Sequence, residues 1–134
     1  MLVCWTQTAI AVESVVIETL LLEARGEGLE GMQAVAEVIR KRSKESGTSY
    51  VDVVMKPWQF SCWNEPSYKS DKRLAKFDGE DWQLASQAWE QSETSNLTGG
   101  ANHYLNTKAV KYLPRWAKVG RLVGRIGKHT FYIV

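Results

Sequence analysis

Apolar positions recur at helical spacing through the first third of the chain. Val12, Val16, Thr19 and Leu20 fall on one face together with Glu23, while Ser14 and Glu18 fall away from it. Ile17 and Leu21 make a further side apolar, so the pattern predicts a central helix from Ala9 to Ala24, stopped at the glycines of "GEG" (Gly26 to Gly28). Leu29, Met32, Val35 or Ala36, and Ile39 form the stripe of a second helix, Leu29 to Arg42. Its basic end, "RKRSK", reads as cations placed at a helix C-terminus rather than as a nucleic-acid contact.

Beyond it the periodicity weakens and local signals take over. Ser49 suits the N-cap of a short helix over Tyr50 to Met55, halted by Pro57. The stretch "WQFSCWNEPSYKSDKRLAKFDGED" is aromatic, polar and rich in turn formers, which predicts a long functional loop rather than core. Asp81 is placed to cap a third long helix, Trp82 to Glu93, and "SNLTGGANHYLN" then reads as another loop around a Gly pair. Pro114 suits the first turn of a short helix through Trp116 and Val119, and "RLVGRIGKHTFYIV" reads as a β-hairpin turning at Gly127-Lys128. The fold class expected is α+β: mainly helical, with a small sheet or hairpin.

Composition narrows this picture only a little. A chain of 134 residues, 44% hydrophobic and 24% charged, fits one globular domain spanning residues 1–134. Charge is unevenly spread. Residues 1–93 carry ten Lys or Arg against fifteen Asp or Glu, whereas residues 94–134 carry seven bases and no acid. A basic C-terminal third suits an anionic polymer, with a merely solvated surface as the ordinary alternative. Two cysteines, Cys4 and Cys62, permit one disulfide, and with only His103 and His129 beside them a structural metal site is not expected. The opening "MLVCWTQTAIAV" lacks the basic residues of a secretory leader and is too short to span a bilayer. No signal peptide and no stable membrane insertion are therefore expected. Six tryptophans are many for this length, and packing is the default role for most of them.

The chemically informative residue is Glu23. By periodicity it points where valines point, after three leucines. An acid held against apolar groups has its charged form disfavoured, so its pKa rises, as a general acid working near neutral pH requires. The alternative is a structural partner for Arg25 or a buried amide. Glu27, in the following turn, is placed to stabilise the second helix's N-terminus rather than to act as a second acid.

Four blocks, "EARGEGLEGMQAVAEVIRKR", "VVMKPWQFSCWN", "LTGGANHYLN" and "RIGKHTFY", occur in register over residues 23–132. In this order they resemble the cell wall hydrolase family typified by the catalytic domain of spore cortex-lytic enzymes. The resemblance implies a lysozyme-like lytic transglycosylase fold with the catalytic Glu on a central helix. It implies cleavage of peptidoglycan glycan strands between N-acetylmuramic acid and N-acetylglucosamine, with Glu23 as the general acid/base. It also implies a cleft lined by Gln59, Phe60, Trp63 and Asn64, by Asn102, His103 and Tyr104, and by Tyr132. Lytic transglycosylases often carry Ser after the catalytic Glu, whereas this chain has Ala24. No cofactor and no metal are implied; the partner is the cell wall, not nucleic acid, and the expected state is a monomer. The short architecture is similar to the stand-alone lysins that phages encode.

Three other functions compete. A muramidase-type hydrolase would use water where the transglycosylase uses the sugar's own hydroxyl. A wall peptidase or amidase would use Cys62 as nucleophile with His103, although their spacing is short and the Ser-Cys pair lacks a preceding glycine. A non-catalytic wall-binding module would use the tryptophans and basic tail, and would leave Glu23 unexplained.

Overall fold

The computed structural model describes residues 14–134, so Cys4, Val12 and the expected helix start at Ala9 lie outside the described residues. Helix α1 covers residues 14–24 and ends in a 3-10 turn, Arg25–Glu27. Helices α2 (Gly28–Ser46), α3 (Tyr50–Met55), α4 (Ser67–Leu74) and α5 (Gly79–Gln91) follow, with a second 3-10 turn at Ser61–Trp63. Strand β1 (His103–Leu105), helix α6 (Arg115–Val119) and strands β2 (Arg121–Ile126) and β3 (His129–Ile133) complete the chain. The strands form an antiparallel sheet in the order β1-β3-β2, so the architecture is α+β, as the sequence predicted.

Helix α2 lies between two packed regions. On one side Met32, Val35, Ala36 and Ile39 join Val16, Leu20 and Leu21 of α1, Val54 of α3 and Ala88 of α5. On the other, Ala34 and Val38 pack with Ala101 and with Phe131 of β3. A helix buried on both sides needs apolar residues beyond one stripe, which Ala34 and Val38 supply. Helix α2 also runs past Arg42 to Ser46 and closes on Gly47 in the left-handed region, φ 68°. The reading of the "RKRSK" cluster is corrected in part: Lys44 falls in the last turn, whereas Arg40 and Arg42 sit further inside the helix and are built into the fold. The Arg40 guanidinium lies 3.7 Å from the Trp89 ring centroid and donates to Ser92 Oγ (2.7 Å) and the Trp89 carbonyl (2.8 Å).

Three loop expectations are revised. The segment beginning at Trp58 contains helix α4, and Phe60 and Cys62 are core residues. The cap of α5 is Asp78, not Asp81; the Asp78 side chain accepts from Asp81 N (2.9 Å), and Asp81 accepts in return from Asp78 N (3.0 Å). That reciprocal arrangement satisfies donors at both ends of the first turn. The "HYL" within "GGANHYLN" is strand β1, paired His103 to Tyr132 and Tyr104 to Phe131. The expectations for α3 and the hairpin hold, with Ser49 Oγ accepting from Asp52 N at 3.1 Å and Gly127 turning at φ 60°.

Two carboxylates tie distant segments together. Glu37 of α2 accepts from Leu97 N (2.9 Å), Thr98 N (2.9 Å), Thr98 Oγ1 (2.8 Å) and Ser95 Oγ, so its burial is fully compensated. Glu27 accepts from Lys128 N (2.9 Å), holding the hairpin turn against the α1–α2 junction. Only glycine fits beneath it: a Cβ on Gly127 would lie 1.9 Å from Glu27 Oε2, and one on Gly31 would lie 2.2 Å from Glu27 Cβ. Glu27 is a clamp.

Candidate active site

Glu23 stands in the last turn of α1, on a helix whose Val16, Thr19 and Leu20 are fully buried. The polypeptide around it is held by polar contacts. Thr19 Oγ1 donates to the Val15 carbonyl (2.8 Å) and accepts from Trp63 Nε1–H (2.9 Å). Arg73 Nη2 of α4 donates to the Leu22 carbonyl (3.1 Å), and Ser70 Oγ donates to the Cys62 carbonyl (2.7 Å). These contacts set the Ser61–Trp63 turn and α4 against the end of α1. Apolar packing contributes little to holding helix α4 there: Leu74 packs against the core while half-buried, and Ser70 is the helix's one fully buried residue.

The result is a half-buried carboxyl whose polar contacts do not offset its burial, in contrast to Glu37. Burial raises the Glu23 pKa above its ordinary value, against a weaker opposing pull from the Cys62 thiol, the Cys62 backbone, the Arg73 charge and the Ser61 backbone. Among the described residues, its strongest influences come from Cys62, Arg73 and Ser61 rather than from a second carboxylate. The same environment affects its neighbours. Burial, then the Glu23 charge, pushes the Cys62 thiol up, far from the thiolate that a nucleophile requires. Burial and Glu23 likewise raise the Tyr104 hydroxyl well above its ordinary range, while the Arg42 charge opposes that.

A cleft of about 660 Å³ is lined by Arg42, Asp52, Lys56, Gln59, Asn102 and His103, among others. Glu23 is not part of that lining. Arg42 links the two: it lines the cleft, and burial lowers its pKa, against the opposing influence of Tyr104 and the carboxylates of Glu45 and Glu23. Its Nε donates to the Asn102 carbonyl (2.7 Å), its guanidinium lies 5.3 Å from the Phe60 ring centroid, and its Nη1 is buried without a partner.

The residues expected from the sequence thus take different places. Gln59, Asn102 and His103 border the cleft. Tyr104 is half-buried near Glu23, with its ring against His129 (4.8 Å) and Phe131 (5.7 Å). Phe60, 1% exposed, backs Arg42 and Tyr104 from within the core instead of offering a surface to a ligand. Trp63 is braced on Thr19, and the Asn64 side chain accepts from Trp58 N (3.0 Å). Asn102 is itself anchored: its amide donates to the Val134 carbonyl (3.0 Å) and to Glu45, and its oxygen accepts from Val134 N (2.9 Å). Tyr132, 3% exposed, lies under Trp116, which also meets the His103 ring at 4.8 Å. Sequence reasoning missed Arg42, Arg73 and Trp116. A signal existed for Arg42 alone, in a basic run that follows an apolar stripe without a helix stop.

The profile of the family described as Cell Wall Hydrolase matches residues 26–132, beginning just after Glu23. The catalytic domain of the germination-specific lytic transglycosylase SleB from Bacillus anthracis superposes with a TM-score of 0.68 at 24% identity, covering 87% of this chain and 89% of that one. The catalytic domain of the Bacillus cereus SleB protein gives a TM-score of 0.67 at 25% identity, covering 87% and 85%. Among curated protein sequences none matches. Because the family profile spans most of the chain and all four sequence blocks fall within or directly against it, the protein belongs to the cell wall hydrolase family.

Proposed function

We propose that this enzyme cleaves peptidoglycan glycan strands between N-acetylmuramic acid and N-acetylglucosamine as a lytic transglycosylase, with Glu23 as its single acid/base. The observation that carries the reading is the environment of Glu23: a desolvated carboxyl with a raised pKa, whose strongest described influences, Cys62, Arg73 and Ser61, include no carboxylate. The likeness to the SleB catalytic domain, a lytic transglycosylase by description, supports the same chemistry.

The reaction needs one acid only. Protonated Glu23 gives its proton to the glycosidic oxygen as the C1–O bond breaks, releasing the N-acetylglucosamine hydroxyl. The cationic C1 of the muramoyl sugar is attacked by that sugar's own 6-hydroxyl, and Glu23, now ionised, takes the hydroxyl proton. The product is a 1,6-anhydro ring, the acid is regenerated, and no water is consumed. A hydrolase of the usual two-carboxylate kind would need a second acid on the opposite face of the sugar. A cysteine peptidase is disfavoured by the raised pKa of the buried Cys62 thiol and by His103, whose Nδ1 hydrogen-bonds with Asn102 Oδ1 (2.9 Å).

Mass analysis of soluble fragments from digested sacculi tests this. Anhydro-muropeptides are expected. Reducing muramoyl ends would establish hydrolysis instead, and free peptides with intact strands would restore the cysteine mechanism.

A further inference from the structure

Trp58 is 82% exposed, and its φ is 66°, in the left-handed region. Among the described residues no other non-glycine has a positive φ. For a bulky side chain this backbone is a strained outlier, which persists only where its surroundings impose it. Here the Asn64 side chain holds it by accepting from Trp58 N at 3.0 Å. The strain is not compensated by packing, because the ring itself is in solvent. Its neighbours in sequence, Lys56 and Gln59, both line the 660 Å³ cleft, so the backbone that carries the ring runs along the cleft's border. Elsewhere in the described chain the tryptophans behave differently: Trp89 is buried, and Trp63 and Trp82 pack against the core.

We propose that Trp58 is a substrate-binding platform, on which a pyranose ring of the glycan strand stacks as the strand enters the cleft. A tryptophan face is electron-rich, and the axial C–H groups of a pyranose present a weakly positive, apolar face of similar size. Lys56 and Gln59 supply hydrogen-bond donors at the edge of the same surface. This inference rests on the glycan-cleaving function proposed above, and names the ring that reads the sugar.

The test compares Trp58→Gly, Trp58→Phe and the parent on soluble glycan strands prepared from sacculi, with binding to intact sacculi measured in a Glu23→Gln background. Glycine accepts the left-handed backbone without strain, so the thermal midpoint of Trp58→Gly should hold or rise. Its KM should increase about tenfold, the scale of losing one anchoring aromatic, with the loss falling in KM rather than kcat. Trp58→Phe should recover most of that affinity. In the Glu23→Gln background, Trp58→Gly should reduce the retained fraction on sacculi. An unchanged KM, or a fall in thermal midpoint that accounts for the lost activity, overturns the proposal. If the parent protein releases no glycan fragments, it is the glycan-cleaving function that fails; if it does and Trp58→Gly matches it, the stacking role fails alone.

Discussion

Glu23→Gln isolates the proton from everything else the side chain does. The amide keeps the length of the acid and can still accept from the backbone at Ser61 and Cys62, but it has no proton to deliver. General acid–base catalysis is typically worth about a hundredfold to ten-thousandfold, and this equals roughly 3–5 kcal/mol of transition-state stabilisation. Since one carboxyl serves as both acid and base in the proposed cycle, the loss should lie toward the upper end. Stability should move the other way. Burial raises the folded-state pKa of Glu23 above its ordinary 4.5, so the folded protein holds that proton more tightly than the unfolded chain does. The stabilisation linked to that proton is complete below the unfolded value and is lost as pH rises through the folded one. The amide does not titrate. Relative to the parent, Glu23→Gln should therefore gain stability as pH rises from acid toward neutral, as urea midpoints at several pH values would register. Clearing of sacculi, followed by turbidity and by mass analysis, reads the activity. A folded variant that clears sacculi at the parent rate removes Glu23 from the chemistry. One that unfolds makes the acid a structural partner of Arg73.

Other perturbations separate structural from chemical roles. Glu27→Gln should keep glycan cleavage while lowering stability by about 1 kcal/mol, the scale of weakening one charge-assisted hydrogen bond to Lys128 N; a collapse of turnover in a folded variant would return Glu27 to the reaction. Gly127→Ala should destabilise by about 1–3 kcal/mol, because the backbone is left-handed and the new Cβ meets Glu27; an unchanged thermal midpoint would contradict the clamp. Cys62→Ser should retain most lytic activity, and iodoacetamide should react slowly with a thiol that is buried and held protonated; total loss of activity in a folded serine variant would favour the peptidase. Binding to sacculi should weaken as salt rises, since Lys108, Lys111, Arg115, Lys118, Arg121, Arg125 and Lys128 are all exposed; a flat salt series would mean that these bases only solvate the surface.

The elements legible in the sequence were those whose cause is local. The apolar run of α1, the Ser49 cap of α3 and the glycine turn between β2 and β3 each carry their signal within a few residues. The position of Glu23 among buried neighbours followed from the same 3.6-residue period. Helix α4 was illegible because its sequence, "SYKSDKRL", offers no apolar stripe; its place depends on Arg73 reaching Leu22 and Ser70 reaching Cys62. Strand β1 has three residues and no alternation to read, and it is a strand only because β3 supplies its partners. The surroundings of the acid were hidden for a like reason. Cys62, Arg73, Tyr104 and Arg42 are far from Glu23 in sequence, and they acquire their burial and mutual charges only when α2, α4 and the sheet close around the end of α1. Periodicity tells which way a side chain points along its own helix; what it then meets, and how its proton is held, depends on segments that only folding brings together.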